Sequence, residues 1–142
     1  MMSTFIVGQV IALRIRFNNS GMISANRHPY LIVDVGEDYL EIAQIDSLEG
    51  KRHKAFFKGN KVIKCHDPEE TVIDKDSYIQ MDNSIYIELY DDLVKFRRQR
   101  DTLSSEKLDD VIKAYDNYHI NNVIDDDKIL YLTKEEIESL NN

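Results

Sequence analysis

Apolar and polar positions alternate over residues 9–17, with Ile11, Leu13, Ile15 and Phe17 on one face and Arg14 and Arg16 on the other. A period of two marks a half-buried strand. Residues 18–27 begin with Asn, Ser and Gly and read as a long loop, a kind of segment often tied to function. Pro29 opens the next strand, a place where its missing N–H is tolerated. Tyr30, Leu31, Ile32 and Val33 follow without alternation, which predicts a strand covered on both faces. Gly36, Glu37 and Asp38 make a short turn, and residues 39–45 return as the second arm of a hairpin.

Beyond the hairpin the pattern weakens and then changes period. Residues 46–60 are polar and basic, 61–64 suggest a short strand, and 67–70 are turn-like. Alternation returns at Ile85, Ile87 and Leu89 over 84–90, a late strand that 93–96 either extends or follows with another. From there the spacing is helical. Ser104 is placed to cap a helix over 104–118, with Leu103 and Leu108 as its hydrophobic staple. Leu108, Val111, Ile112 and Tyr115 form the stripe that helix buries. Thr133 and Glu136 fit a capping box for a short helix over 133–140, with Leu132 and Ile137 as its staple. Strands first and helices afterwards predict an α+β domain, or a small barrel with helices packed on it.

A chain of 142 residues has single-domain length. Hydrophobic residues make up 42% and charged residues 31%, which argues against disorder. The longest apolar run falls well short of the roughly 20 residues that span a bilayer, so no membrane association is expected. Residues 1–7 carry no basic side chain, so no secretory signal is expected either. The single cysteine, Cys65, has no internal partner for a disulfide, and a reducing, cytoplasmic setting is the expectation. The net charge of −8 opposes a general nucleic-acid-coating role, because phosphate contacts need Lys and Arg. The charge is uneven, however. Residues 1–64 hold nine Lys/Arg and six Asp/Glu, a local excess of +3, while 65–142 carry −11. A basic face inside an acidic protein is therefore possible.

Several motifs fall in a suggestive order. Gly8-Gln9-Val10 opens the first strand and Ser20-Gly21 lies in the loop after it. Arg27-His28-Pro29-Tyr30-Leu31-Ile32-Val33 enters the second strand, and Ile45-Asp46-Ser47 closes the third. Later, the basic residues Arg97, Arg98 and Arg100 lead to Thr102-Leu103-Ser104 and an amphipathic helix. Over roughly residues 7–118 the chain resembles the MazF/PemK toxins, and 121–142 lies outside that pattern. The resemblance implies an SH3-like small β-barrel of the MazF/PemK/CcdB kind, with its core over about 7–100 and C-terminal helices packed on it. It implies a homodimer that cuts single-stranded RNA without a metal or other cofactor and is neutralised by an antitoxin protein. Carried over residue by residue, the hydroxyl closing the third strand is Ser47. The family's Arg stands directly before the Pro. Here that place is His28, with Arg27 one position earlier, so either can hold the role.

Metal-free RNA cleavage needs a base for the ribose 2′-OH, a proton donor for the leaving 5′-oxygen and positive charge on the phosphate. Arg27 can grip a phosphate through paired N–H bonds, His28 can serve as acid or base near neutral pH, and Ser47 can donate to a phosphate oxygen or simply cap its own turn. Arg14, Arg16, Lys51, Arg52, His53 and Lys54 are candidate RNA contacts, with His53 or a phenylalanine as a stacking surface. Phe56 and Phe57 read as core or interface residues. The four histidines show no metal-ligand spacing, and Cys65-His66 is one pair without partners. Cys65 reads as a structural thiol, and 125–127 as a solvated acidic turn. The rival reading is the same barrel, catalytically silent, binding protein or RNA. A related toxin neutralised by RNA instead would need a more basic groove.

Overall fold

The computed structural model describes residues 5–17, 22–65 and 70–142. The Ser20-Gly21 motif and most of the 67–70 turn lie outside the described residues. The chain is an α+β protein built on a seven-stranded, mostly antiparallel sheet. Its strands are β1 (Val10–Leu13), β2 (His28–Val35), β3 (Tyr39–Ser47), β4 (Asn60–Ile63), β5 (Ser77–Gln80), β6 (Ser84–Glu88) and β7 (Ile129–Leu132). The helices are α1 (Ser105–Asn121) and α2 (Lys134–Asn141), with short 3₁₀ helices at Arg52–Phe56, Asp91–Phe96 and Asp126–Lys128.

β1, β2 and β3 run in sequence as antiparallel neighbours. The far edge of β3 is divided. Its first half, Tyr39 to Ile42, pairs with β6, and its last residues, Ile45 to Ser47, pair with β5. β4 pairs with β5, and β7 runs parallel to β6.

Both faces of this sheet are covered, as the unbroken apolar run in β2 predicts. Tyr30 and Ile32 point into one core with Leu40, Ile42, Phe96, Leu132 and Ile137. Leu31 and Val33 point into the other with Ala43, Ile45, Val111 and Tyr115. The register slips between Ile32 and Asp34. An extra residue in one strand flips the parity of the positions after it, so Val35 turns back to the first core and Asp34 comes opposite Glu41.

Gly8 joins the start of the chain to α1. Its φ of 100° suits glycine, and a Cβ there would lie 2.7 Å from Leu108 Cδ2. Its N–H donates to Ile32 O and its carbonyl accepts from Leu103 N. The buried Gln9 side chain accepts from Ile6 N and donates to Arg100 O. The glycine at the head of the first motif therefore has a packing reason to be there.

Several expectations need correction. The first strand stops at Leu13 rather than Phe17; Ile11, Leu13 and Ile15 are buried, but Phe17 is 39% exposed. Residues 93–96 do not extend a strand. They lie in the 3₁₀ helix, where Leu93 and Phe96, three apart, both reach the core. Ser104 precedes α1, but its hydroxyl makes no capping bond; its N–H instead donates to Glu70 Oε1. Of the two alternatives for Phe56 and Phe57, the core is ruled out, since they are 89% and 50% exposed.

The 121–142 segment is not an appendage. β7 extends the sheet, and Leu130, Leu132 and Ile137 are buried in the first core. Thr133 caps α2 by accepting from Glu136 N. Asn141 finishes it: its side chain accepts from Arg14 N and donates to Arg14 O, continuing where β1 ends.

Truncating Ile137 to Ala should cost about 2–5 kcal/mol of stability, the usual range for emptying a filled core site. Thr133→Ala should cost about 0.5–2 kcal/mol through the lost cap. Equilibrium urea unfolding measures both, and an Ile137→Ala loss below the Thr133→Ala loss would contradict the placement of α2 in the core.

Candidate functional site

Alternation along β3 puts Ile45 and Ser47 on the α1 side of the sheet, the side to which Pro29 also turns. Pro29, Ile45, Ser47, Lys75, Ser77 and Arg98 line a cleft of about 360 Å³ whose remaining wall is the 71–74 segment. Ser47 lies directly opposite Ser77 in the β3–β5 ladder. The two hydroxyls differ in what they have left to offer. Ser77 Oγ donates to Lys75 O at 2.9 Å, so its proton is used. Ser47 Oγ accepts from Glu49 N at 3.0 Å, which leaves its own proton free for a ligand.

The cations of the cleft differ in the same way. Lys75 Nζ pairs with Glu49 at 3.2 Å. Arg98 is held at its backbone, N–H to Val10 O at 2.9 Å, and its exposed guanidinium has no ion-pair partner among the described residues. A free guanidinium and a free hydroxyl donor suit an oxyanion such as a phosphodiester. Asp74 also lines the cleft and restricts where a negative group can settle.

The candidate residues before Pro29 are placed differently. Arg27 is exposed, donates from Nη2 to Asn141 O at 2.6 Å and lies 5.0 Å over the Phe96 ring. The His28 ring sits 6.3 Å from that of Phe17. No hydrogen bond or ion pair joins Arg27, His28 and Ser47 among the described residues. The strand entrance is brought beside Ser47 through Pro29, while the two side chains before it turn toward α2 and Phe17.

Arg14 donates to Ser24 O at 3.1 Å. Arg16 forms a two-pronged pair with Glu136 and also donates to Tyr131 O, so it faces α2. Lys51, Arg52, His53 and Lys54 form a separate exposed surface: Arg52 pairs with Asp76 at 3.2 Å, His53 meets the Phe57 ring edge-on, and Lys54 lies over it at 4.9 Å. Arg98 went unrecognised as a cleft residue because its neighbours in space, the ends of β3 and β5, are distant in sequence and β5 itself carries no clear alternation.

Among the described residues no group of three or more His, Cys, Asp or Glu is disposed to hold a metal. The Cys65 thiol donates to Ile73 O at 3.2 Å, and burial pushes its pKa up, which reduces its thiolate character. No described helix is long and apolar enough to cross a membrane. No family model, no curated protein and no solved structure matches the chain.

A second polar group lies under α1. Tyr115 OH donates to Glu41, the Tyr115 ring stacks on His119 at 4.1 Å, and His119 Nε2 donates to Met81 O at 2.7 Å. Burial raises the Glu41 pKa, partly offset by the Tyr115 hydrogen bond and by His119. The native state therefore holds that proton more tightly than the unfolded chain. The stability due to Glu41 is full below its ordinary value of 4.5 and declines as pH rises through the raised native value. Glu41→Gln keeps an acceptor for Tyr115 and removes the titration. Urea midpoints measured from pH 4 to 8 should show the wild type losing ground against this variant as pH rises; parallel curves would refute the assignment.

Proposed function

We propose that this chain is a MazF/PemK-like toxin endoribonuclease, an SH3-like barrel that cuts single-stranded RNA without a metal and is neutralised by an antitoxin protein. The observation that carries the reading is the shared cleft, in which Pro29 from the β2 entrance, Ser47 from the end of β3 and Arg98 meet. The division of β3 between two partners at its far edge supports the barrel, since strands that pass from one sheet to another make the corners of such folds. Homodimer assembly follows from the sequence resemblance alone, and a cytoplasmic location from the single cysteine and the residues at the start of the sequence.

In this reading Arg98 holds the non-bridging oxygens and the free Ser47 proton adds a neutral donor, together offsetting the charge that builds on phosphorus. The 2′-oxygen loses its proton and bonds to phosphorus, and the bond to the 5′-oxygen breaks as that oxygen gains a proton. The products are a 2′,3′-cyclic phosphate and a 5′-hydroxyl. Arg27 and His28 precede Pro29 and turn toward α2 and Phe17, away from Ser47; the reading requires the His28 ring to swing round the strand entrance to the reacting oxygens, where it takes the 2′ proton and returns one to the 5′-oxygen.

A second reading has its own observation. Arg27 is tied to Asn141 O and Phe96, as a structural arginine would be, and this favours a catalytically silent barrel that binds RNA or protein.

The test is incubation of the purified chain with a long single-stranded RNA in EDTA. Wild type should cut at defined sites and leave cyclic phosphate ends. Arg98→Ala and Ser47→Ala should each slow cleavage about 10²-fold, the scale of losing one preorganised donor. The Arg27→Ala/His28→Ala pair should slow it about 10²–10⁴-fold. Salt-sensitive RNA binding by a folded wild type that cuts nothing would establish the silent barrel instead.

A further inference from the structure

We infer that a second cleft, on the face of the sheet opposite Ser47, reads an unpaired RNA base that carries an exocyclic amino group; the inference rests on the RNA-binding reading above. The cleft measures about 270 Å³ and is lined by Phe17, Gln44, Gln80, Asp82, Asn83, Asp127 and Lys128. Gln44 stands two residues before Asp46 on β3, and Gln80 two residues after Tyr78 on β5, with Asp46 and Tyr78 opposite one another in the ladder.

Asp46 sets the polarity of this wall. Its Oδ2 receives Gln44 Nε2 at 3.0 Å, Gln80 Nε2 at 2.9 Å and Tyr78 OH at 3.3 Å. A carboxylate only accepts, so both amide nitrogens are drawn to it and the amide carbonyls are turned away. Gln80 Oε1 then accepts from Asn83 Nδ2 at 3.3 Å, which fixes the Asn83 amide in turn and leaves Asn83 Oδ1 without a hydrogen bond among the described residues. What remains on offer is a set of oriented acceptors.

The charges exclude an anion. Lys128 Nζ is held by Asp82 at 2.8 Å and Asp127 adds a second carboxylate to the lining, so the cleft is net negative and has no grip for a phosphate. No grouping suited to a metal ion exists among the described residues. The complementary partner is a group rich in N–H donors, such as the amino edge of a base. Phe17, 39% exposed with His28 beside it, supplies an aromatic face, and unpaired RNA bases are held by stacking on such rings and by hydrogen bonds to their edges. Adenine and cytosine present an amino donor of this kind, whereas uracil presents a carbonyl at the corresponding position.

Cytosine against uracil isolates the amino group, because both are pyrimidines. Fluorescein-labelled hexacytidylate and hexauridylate are titrated with the full chain at low salt and followed by anisotropy. Wild type should bind the cytidine hexamer about tenfold tighter, within the range of one good base-edge pair. Asp46→Asn lets the neighbouring amides turn over and should bring that ratio close to one. Phe17→Ala should weaken both hexamers together and keep the ratio. Asn83→Ala, which removes a single acceptor from a turn, should lower the ratio about threefold and serves if Asp46→Asn does not fold. Equal binding of the two hexamers by wild type, no binding of either, or an unchanged ratio in a folded Asp46→Asn protein would overturn the inference. Cytidine preference in a protein that leaves long RNA intact in EDTA would sink the ribonuclease and keep this cleft; cleavage without the preference would do the reverse.

Discussion

β3 has to satisfy hydrogen bonds along both edges while burying side chains on both faces, and the remaining elements are arranged around that demand. Along one edge it has β2. Along the other, β6 takes the first half and β5 the last three residues. Buried backbone groups without partners are costly, so neither pairing is dispensable. Alternation along the same strand then separates two chemistries. Ile45 and Ser47 face the α1 side, and Gln44 and Asp46 face away. Two clefts of different character open at the end of a single strand because its side chains project to opposite sides.

The same constraint explains why the C-terminal segment is integral. With β6 committed to β3, its outer edge and the face carrying Ile85 and Ile87 both need cover. β7 supplies a parallel partner and α2 brings Ile137 into the core. Asn141 then bonds back to Arg14, just past β1, so the end of the chain is locked against its beginning. Arg27 joins this lock through Asn141 O. An arginine that looks functional by its distance from Pro29 is thereby also part of the clasp, and its two possible roles share one set of contacts.

The sequence was most informative where one face or one stripe is buried. The period-two run at Ile11, Leu13 and Ile15, the two-sided run at Tyr30–Val33 and the α2 capping box all carry a signal that a single segment contains. β5 and β7 carried none: each has four residues, too few for a period to stand out, and each exists because β3 or β6 has an edge to offer. The site followed the same rule. Ser47 was legible because it closes a strand that can be recognised on its own. Arg98 and the amides held by Asp46 were not, since their significance depends on β5 being folded against β3. For Phe56 the sequence left core and interface open, because apolar character alone does not distinguish a core ring from an exposed one, and its exposure removes the core alternative.

Net charge weighs against the proposed RNA-directed reading, and the distribution of the basic side chains bears on it locally. Most of the basic residues singled out in the first half are engaged: Arg16 by Glu136, Arg52 by Asp76, Arg14 by Ser24 O and Arg27 by Asn141 O. Arg98 is different, being exposed beside a hydroxyl with a proton to give. A protein at −8 repels a polyanion at long range, so affinity has to come from short-range contacts at one or two phosphates and from base edges. In the proposed reading that division maps onto the two faces of β3, with the Ser47 and Arg98 cleft on one side and an acceptor-lined, net-negative cleft beside Asp46 on the other. Weak general attraction combined with oriented local groups favours recognition of particular bases over indiscriminate coating, because phosphate contacts alone carry no sequence information.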